Sequence, residues 1–308
     1  MEAERKAREA RRTMVFACGV AFFLFGLKLS FGLALGSLAV LSEAINSFVD
    51  LMASLTVLFL LKKASAPADS GHAFGHGKME TLAGLAQSSL IILMGIWVFV
   101  SALFRITDPQ PVRLAGWGIA LMAFSMVVTF FAWRIVRGAG KRAESVALEA
   151  SSVQFSMDLF TNLAVLIALA IIHFTGVSLV DPLTAILVLA VVFFLTRSVF
   201  LKVLGDLLDQ SLPPSTCKEI NHIIERTLTS HHPKLRGFHK LRTRRSGLRK
   251  LVDLHLLGCK KLELHEAHQL AHTVEWNLKK RFPEMDILIH SEPCKDDCDI
   301  CDKLIRDK

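Results

Sequence analysis

Two carboxylates inside apolar segments, Asp50 and Asp158, carry the most specific chemistry in this chain. Each has a carboxamide four residues earlier, Asn46 in one segment and Gln154 in the other. Four residues are about one helical turn, so each pair presents two oxygen donors on one face of a helix. A carboxylate in hydrocarbon is costly unless it faces a cavity or binds something. The two pairs therefore predict a four-ligand cation site within a membrane protein.

A purely structural role is the alternative for these residues. Asp50 could pair with Lys28 or cap a helix break, and either carboxamide could be an interhelical hydrogen-bond partner. The identical spacing of the two pairs favours the cation site. Glu43 lies three residues before Asn46 on nearly the same helix face, and we expect it to line an approach path to that site.

Two further segments have the spacing of metal ligands. A loop carries an acid and two imidazoles in D-x2-H-x3-H order, and such ligands can share one divalent transition metal. The loop residues are Asp69, His72 and His76. The end of the chain has C-x3-C-x2-C spacing, which is compatible with thiolate binding of a metal or with a loose acidic tail. The tail cysteines are Cys294, Cys298 and Cys301.

The elements that must position the aspartates are long apolar segments. The mean hydropathy is +0.44 and 52% of the residues are hydrophobic, which is typical of a membrane protein. Six segments approach the ~20 residues that cross a bilayer as a helix. They are residues 14–34, 38–61, 82–104, 114–135, 146–172 and 183–203.

Lysine and arginine are concentrated on one side of these segments: before the first, after the second, and between the fourth and fifth. Because positively charged loops stay in the cytoplasm, we predict a multi-pass protein of the inner or plasma membrane with both termini cytoplasmic. This bias explains most of the net charge of +8. The basic run at 241–250 lacks aromatic side chains that would stack on bases, so we expect no nucleic-acid partner.

From about Leu204 the composition becomes that of a soluble domain. Hydrophobic periodicity predicts an α-β-β-α-β order, which is typical of a small α/β domain with its helices on one sheet face. The predicted elements are a helix at 215–232, strands at 236–244 and 249–258, a helix at 263–281 and a strand at 286–290.

This second domain is rich in histidine. Three of its histidines, His265, His268 and His272, share a helix face by spacing, which a solvated polar face also explains. His265 and His268 are one residue too close for the H-E-x-x-H motif of zinc proteases, and no nucleophile–base motif occurs. We therefore expect no enzyme.

Together these motifs resemble the cation diffusion facilitator family, and most of all its bacterial zinc and ferrous-iron efflux members. The resemblance covers residues 12–294 and implies a homodimer of six-span protomers in the bilayer, each with a cytoplasmic α/β domain. It also implies exchange of a divalent cation (Zn²⁺, Fe²⁺ or Mn²⁺) for protons. Besides the paired ligands of spans two and five, it is carried by Phe74-Gly-His76-Gly-Lys78-Met-Glu80, Leu241-Arg-Thr-Arg-Arg-Ser-Gly247 and His290-Ser-Glu292-Pro293.

The resemblance assigns roles to residues and boundaries to domains. Asn46, Asp50, Gln154 and Asp158 fall on the transport site, and Asp69, His72 and His76 on the loop site. The cytoplasmic metal site falls on His239, His255, His268, His290 and Glu292. Lys78 and Asp209 match a pair that interlocks the dimer. The domains are a basic N-terminus at 1–12, a transport domain at 13–208, a metal-binding dimerisation domain at 209–293 and a cysteine-containing tail at 294–308.

One departure from the family concerns the metal. Zinc-selective relatives place a histidine in the span-five pair and an aspartate or histidine first in the span-two pair, where this chain has Gln154 and Asn46. An all-oxygen site suits Mn²⁺ or Fe²⁺ better than Zn²⁺. We therefore expect a secondary transporter that exports a divalent transition metal, with a metal-sensing membrane scaffold that has a degenerate transport site as the alternative.

Overall fold

The computed structural model describes residues 2–35, 38–107, 116–175 and 180–294. They form two compact units, one spanning Glu4–Gly205 and the other beginning at Asp206. The first unit is built from six long helices, which confirms the six predicted spans. They are α1 (Glu2–Leu35), α2 (Leu38–Ala64), α3 (Lys78–Thr107), α4 (Gly116–Ala143), α5 (Val146–Thr175) and α6 (Val180–Leu207).

Length and composition allow these helices to cross a membrane. Within the described residues, every one of them except α5 contains an 18-residue window apolar enough for a span. Helix α5 has the same 30-residue length as α3 and carries one of the intramembrane aspartates. Phe22, Phe59 and Phe194 are all at least 64% exposed, as expected for side chains that face lipid.

Small side chains bring the membrane helices close together. Alanines make up much of the buried cluster among α1, α3, α4 and α5, with Ala10, Ala83 and Ala147 fully buried. Gly84 of α3 leaves little room for a side chain, because a Cβ there would lie 3.0 Å from the side chain of Val203 on α6. Without a hydrophobic driving force between helices in lipid, such close approach supplies the packing energy.

The second unit has the predicted α-β-β-α-β order. Its sheet has β2 in the centre, antiparallel to β1 and parallel to β3. The last strand is longer than predicted and reaches past residue 290. The elements are α7 (Pro214–Ser230), β1 (Leu235–Ser246), β2 (Arg249–Gly258), α8 (Leu264–Arg281) and β3 (Met285–Pro293).

The two faces of this sheet are chemically different. Val252, Leu254 and Leu256 of β2 are at most 2% exposed and belong to the same core cluster as the apolar faces of α7 and α8. Because side chains alternate along a strand, Asp253 and His255 project from the opposite face. That second face carries the titratable residues of the sheet.

Removing a core side chain should loosen this domain. Leu254→Ala is expected to cost about 2–5 kcal/mol of its unfolding free energy, because Leu254 is nearly fully buried. Hydrogen exchange of residues 214–293 in the full-length protein would measure the loss of protection. Leu288→Ala in β3 is the matched control, since Leu288 is 67% exposed; equal loss in both variants would contradict the assigned core.

Candidate metal centres

The two amide–aspartate pairs line one cavity inside the first unit. The cavity has a volume of about 160 Å³, and its walls come mainly from α2, α3 and α5 with contributions from α1. Asn46 and Asp50 reach it from α2, and Gln154 and Asp158 from α5. The structure therefore brings the four predicted transport ligands to one cavity.

Gln154 connects the two pairs. Its side-chain amide donates a hydrogen bond to Oδ1 of Asp50 on the neighbouring helix. Its carbonyl oxygen accepts a hydrogen bond from the amide of Gln87 on α3. Gln87 and Gln154 are both buried, 1% and 9% exposed. A hydrogen-bonded chain from α3 through α5 to α2 thus holds one aspartate of the cavity.

A lysine and a third carboxylate also line the cavity. Nζ of Lys28 on α1 lies 3.1 Å from Oε2 of Glu43 on α2, and Lys28 is only 7% exposed. Lys28 thus forms its ion pair with Glu43, whereas the structural alternative considered above paired it with Asp50. Glu43 lines the cavity, which agrees with its expected place on an approach path.

The loop between α2 and α3 folds its acid and two histidines together. Oδ2 of Asp69 lies 3.3 Å from Nε2 of His76, and its Oδ1 lies 3.3 Å from Nδ1 of His72. Donor atoms of the three side chains all lie within 4.8 Å of one another. Ligands around one zinc-sized ion are about 3.4 Å apart, so a small adjustment would let all three bind one ion.

Local backbone structure prepares this loop. The carboxylate of Asp69 accepts hydrogen bonds from the backbone N–H groups of His72 and Gly71, which lower its pKa and keep it ionised. Nδ1 of His76 donates to the Pro67 carbonyl, leaving Nε2 with a lone pair for a ligand. Gly75 closes the turn at φ +79°, a conformation that other residues rarely adopt.

The second candidate centre is a row of histidines across the sheet. His239 on β1 pairs with His255 on β2, and His255 pairs with His290 on β3. Pairing in register places the three rings side by side on one face, with centroids 5.2 Å and 4.8 Å apart. Glu292 follows His290 by two residues and therefore lies on the same face.

Glu292 lies beside each imidazole of this row and is hydrogen-bonded to His255. Its carboxylate oxygens lie 2.6 Å from His255 Nδ1, 3.2 Å from His239 Nε2 and 3.7 Å from His290 Nε2. The hydrogen bond from His255 is the main reason that the pKa of Glu292 is below its usual value. The carboxylate is therefore ionised at neutral pH, and two imidazoles with one carboxylate are a suitable ligand set for a divalent transition metal.

Other predicted site residues lie elsewhere. His268 is on α8 beside His272, with ring centroids 6.3 Å apart, and it is not part of the His239–His255–Glu292 group found in the described residues. Asp209 lies 3.3 Å from Arg244, and the pairing of Asp209 with Lys78 across the dimer stays a prediction. Cys294 is described, whereas Cys298 and Cys301 lie outside the described residues.

Two contacts in the membrane cavity could not be predicted from sequence patterns. Gln87 lies in an apolar segment and has no partner at helical spacing that would single it out. Lys28 and Glu43 lie on two consecutive helices, α1 and α2. The sequence does not show which residues of these two helices face each other. Such long-range contacts depend on helix packing, and one amphipathic pattern does not encode them.

Replacing the shared carboxylate should weaken the cytoplasmic centre. Glu292→Gln removes the anionic ligand and is expected to weaken Zn²⁺ binding there by at least about tenfold. Calorimetric titration of the purified chain, with the loop centre removed by His76→Ala, would measure this. Glu292→Asp should retain most binding. Glu266→Gln, which breaks an exposed ion pair with Lys234, is the control; an equal effect there would contradict the assignment.

Comparison with known proteins gives the family. Residues 14–208 match the model of the cation efflux transmembrane domain, and residues 217–294 match that of the cation efflux protein cytoplasmic domain. The cation-efflux pump FieF of Pectobacterium carotovorum is 35% identical over 93% of this chain and 94% of its own length. FieF of Yersinia pestis is 34% identical over 94% of each chain.

One solved structure overlaps a smaller part of the chain. The metal-bound C-terminal domain of the CzcD transporter from Thermotoga maritima is 23% identical, with a TM-score of 0.24 over 27% of this chain and 94% of that one. The family assignment depends instead on the two domain models and on the near full-length relatives. The chain therefore belongs to the cation efflux family of multi-pass membrane transporters, the cation diffusion facilitators.

Proposed function

We propose that this protein exports a divalent transition-metal cation from the cytosol as a homodimer, by exchange for protons. The observation that carries the proposal is the pair of carboxylates, Asp50 and Asp158, on two membrane helices around one cavity. The efflux function of its relatives supports the direction of transport. Residues 13–208 would form the transport domain, and residues 209–293 the cytoplasmic metal-binding and dimerisation domain.

In this mechanism the cation enters from the cytoplasmic side and binds the carboxylates of Asp50 and Asp158. The carboxamides of Asn46 and Gln154 supply neutral oxygens. Rocking of the helices then exposes the cavity to the other side, where protons displace the cation from the carboxylates. Proton exchange follows from the chemistry of the ligands, because a carboxylate binds either a metal or a proton.

The histidine centres would act on the cytoplasmic side. His239, His255, His290 and Glu292 would hold a metal ion that stabilises the dimer of the second unit and biases the transport cycle. His268 belongs to this set by family resemblance. The Asp69–His72–His76 loop would bind metal between α2 and α3. Imidazole ligands suit Zn²⁺, Co²⁺, Ni²⁺ and Fe²⁺.

Each intramembrane aspartate should be essential for transport. Asp50→Ala and Asp158→Ala are expected to reduce metal-dependent flux in proteoliposomes to the level of empty liposomes, because each removes an anionic ligand of the cargo. Glu149→Gln is the matched control: Glu149 is on the same helix as Asp158 but forms an ion pair with Lys202. Flux retained by either alanine variant would refute the transport site.

The carboxamides should set the metal preference. An all-oxygen site favours harder cations, so Mn²⁺ and Fe²⁺ should compete better than Zn²⁺ for transport by the native protein. Gln154→His and Asn46→Asp are expected to shift the preference towards Zn²⁺. Competition flux with Mn²⁺, Fe²⁺, Zn²⁺ and Co²⁺ measures the shift, and an unchanged order in both variants would disprove the role of the carboxamides.

A metal-sensing membrane scaffold is the second candidate function. The histidine row in the second unit, together with a membrane site that contains no imidazole among its four ligands, favours it. Saturable metal binding to the cytoplasmic centre without flux through the membrane site would support the sensor. Flux that depends on Asp50 would exclude it.

A further inference from the structure

Gln87 has an unused oxygen inside the transport cavity. Its side chain is 1% exposed and lines the cavity, and its Nε2 donates to the carbonyl oxygen of Gln154. Its own Oε1 is buried and accepts no hydrogen bond from the residues that the structure describes. A buried acceptor without a partner costs free energy. That cost would be removed in a state of the cavity in which this oxygen accepts a hydrogen bond.

Gln154 has the wrong orientation for binding a cation. Its N–H group points to Asp50 and its oxygen points to Gln87. A cation held by Asp50 would meet the positive end of the amide dipole. Binding by the oxygen of Gln154 therefore requires its side-chain amide to turn over, which would place its N–H group towards Gln87.

We propose that Gln87 and Gln154 form a two-position amide switch that sets the affinity of the transport site. With the cavity free of cargo, Gln87 donates to Gln154, and Gln154 donates to Asp50. With a divalent cation bound, both amides are turned: Gln154 directs its oxygen to the cation, and its N–H group donates to Oε1 of Gln87. This proposal rests on the proposed transport function and assigns Gln87 a positioning role in it.

The two positions are matched in the hydrogen bonds between Gln87 and Gln154. Each contains one bond between the two amides, and each leaves one polar group of Gln87 without a protein partner. The bond from Gln154 to Asp50 is lost when the cation binds, and cation coordination offsets it. Because the Gln154–Asp50 bond favours the first position and cation coordination favours the second, the cargo itself decides between them, and neither protonation nor backbone movement is required.

Two substitutions of Gln87, with one control at Ser88, distinguish the switch from simpler roles. Gln87→Leu removes one hydrogen bond from both positions, so the Kd for Mn²⁺ should stay within about twofold of the native value. Gln87→Glu only accepts when ionised, which favours the turned position, and should tighten Mn²⁺ binding. Ser88→Ala is the control for packing, because the buried Ser88 hydroxyl donates to Gly84 within its own helix.

The Gln87→Glu effect must be separated from its added charge. The charge acts in any background, whereas the orientation effect needs the amide of Gln154. In a double-mutant cycle with Gln154→Leu, Gln87→Glu should tighten binding about fivefold more when Gln154 is present, which corresponds to about one hydrogen bond. Equal effects in both backgrounds would overturn the switch. This test does not use Gln87→Leu, so it remains valid if that variant fails to fold.

Calorimetry of the full-length protein in detergent gives these constants, in an Asp69→Asn, His255→Ala background that removes the other two centres. A loss of binding above tenfold in Gln87→Leu would make Gln87 a direct ligand and overturn the switch. Markedly tighter Mn²⁺ binding in Gln87→Leu would mean that Gln87 only holds Gln154 in the cargo-free position, and it would also overturn the switch. Proteoliposome flux is measured separately. If flux is absent but the double-mutant cycle shows the expected coupling, the transport function alone is refuted. If flux is normal but the two substitutions are additive, the switch alone is refuted.

Discussion

The cost of placing carboxylates in hydrocarbon is the constraint on which the membrane unit depends. Three carboxylates and one ammonium group line the cavity: Asp50, Asp158, Glu43 and Lys28. When all are ionised, the Lys28–Glu43 pair is internally compensated and two negative charges are left over. A divalent cation or two protons can neutralise them. The cavity therefore needs a cation of some kind, and this need would be the physical basis of the proposed exchange of metal for protons.

In the second unit, the pairing of the strands, rather than burial in hydrocarbon, positions the titratable residues. One register across β1, β2 and β3 aligns His239, His255 and His290. The core face of the same strands fixes that register, because a slip of one residue would turn Leu254 outwards and His255 into the core. The apolar core thus determines the geometry of a polar face that it does not contact.

The sequence predicted the parts of the structure that local patterns encode. Six helices and the α-β-β-α-β order follow from hydropathy and periodicity, and the Asp50 and Asp158 pairs from helical spacing. Contacts between elements were not encoded in this way. The partner of Lys28, the bond from Gln87 to Gln154 and the histidine row all require knowledge of which elements are neighbours. The irregularity in β1 near Lys240, at φ +50°, likewise shifts its register between His239 and Arg242.

The two ligand sets differ in the way that their proposed tasks, transport of cargo and retention of a regulatory ion, would require. Cargo must leave the membrane cavity in every cycle, and oxygen ligands such as Asp50 and Gln154 bind borderline metals such as Zn²⁺ less strongly than imidazoles do. A cytoplasmic centre that reports metal concentration must instead hold its ion, and His239 and His255 with Glu292 suit that purpose. An exporter with the proposed sites would be loaded only when the cytosol already holds enough metal to occupy the tighter centre. Under the proposed function, the ligand chemistry would make the cytoplasmic centre the tighter site for a metal such as Zn²⁺, and that order would favour transport at high metal concentration over transport at low metal concentration.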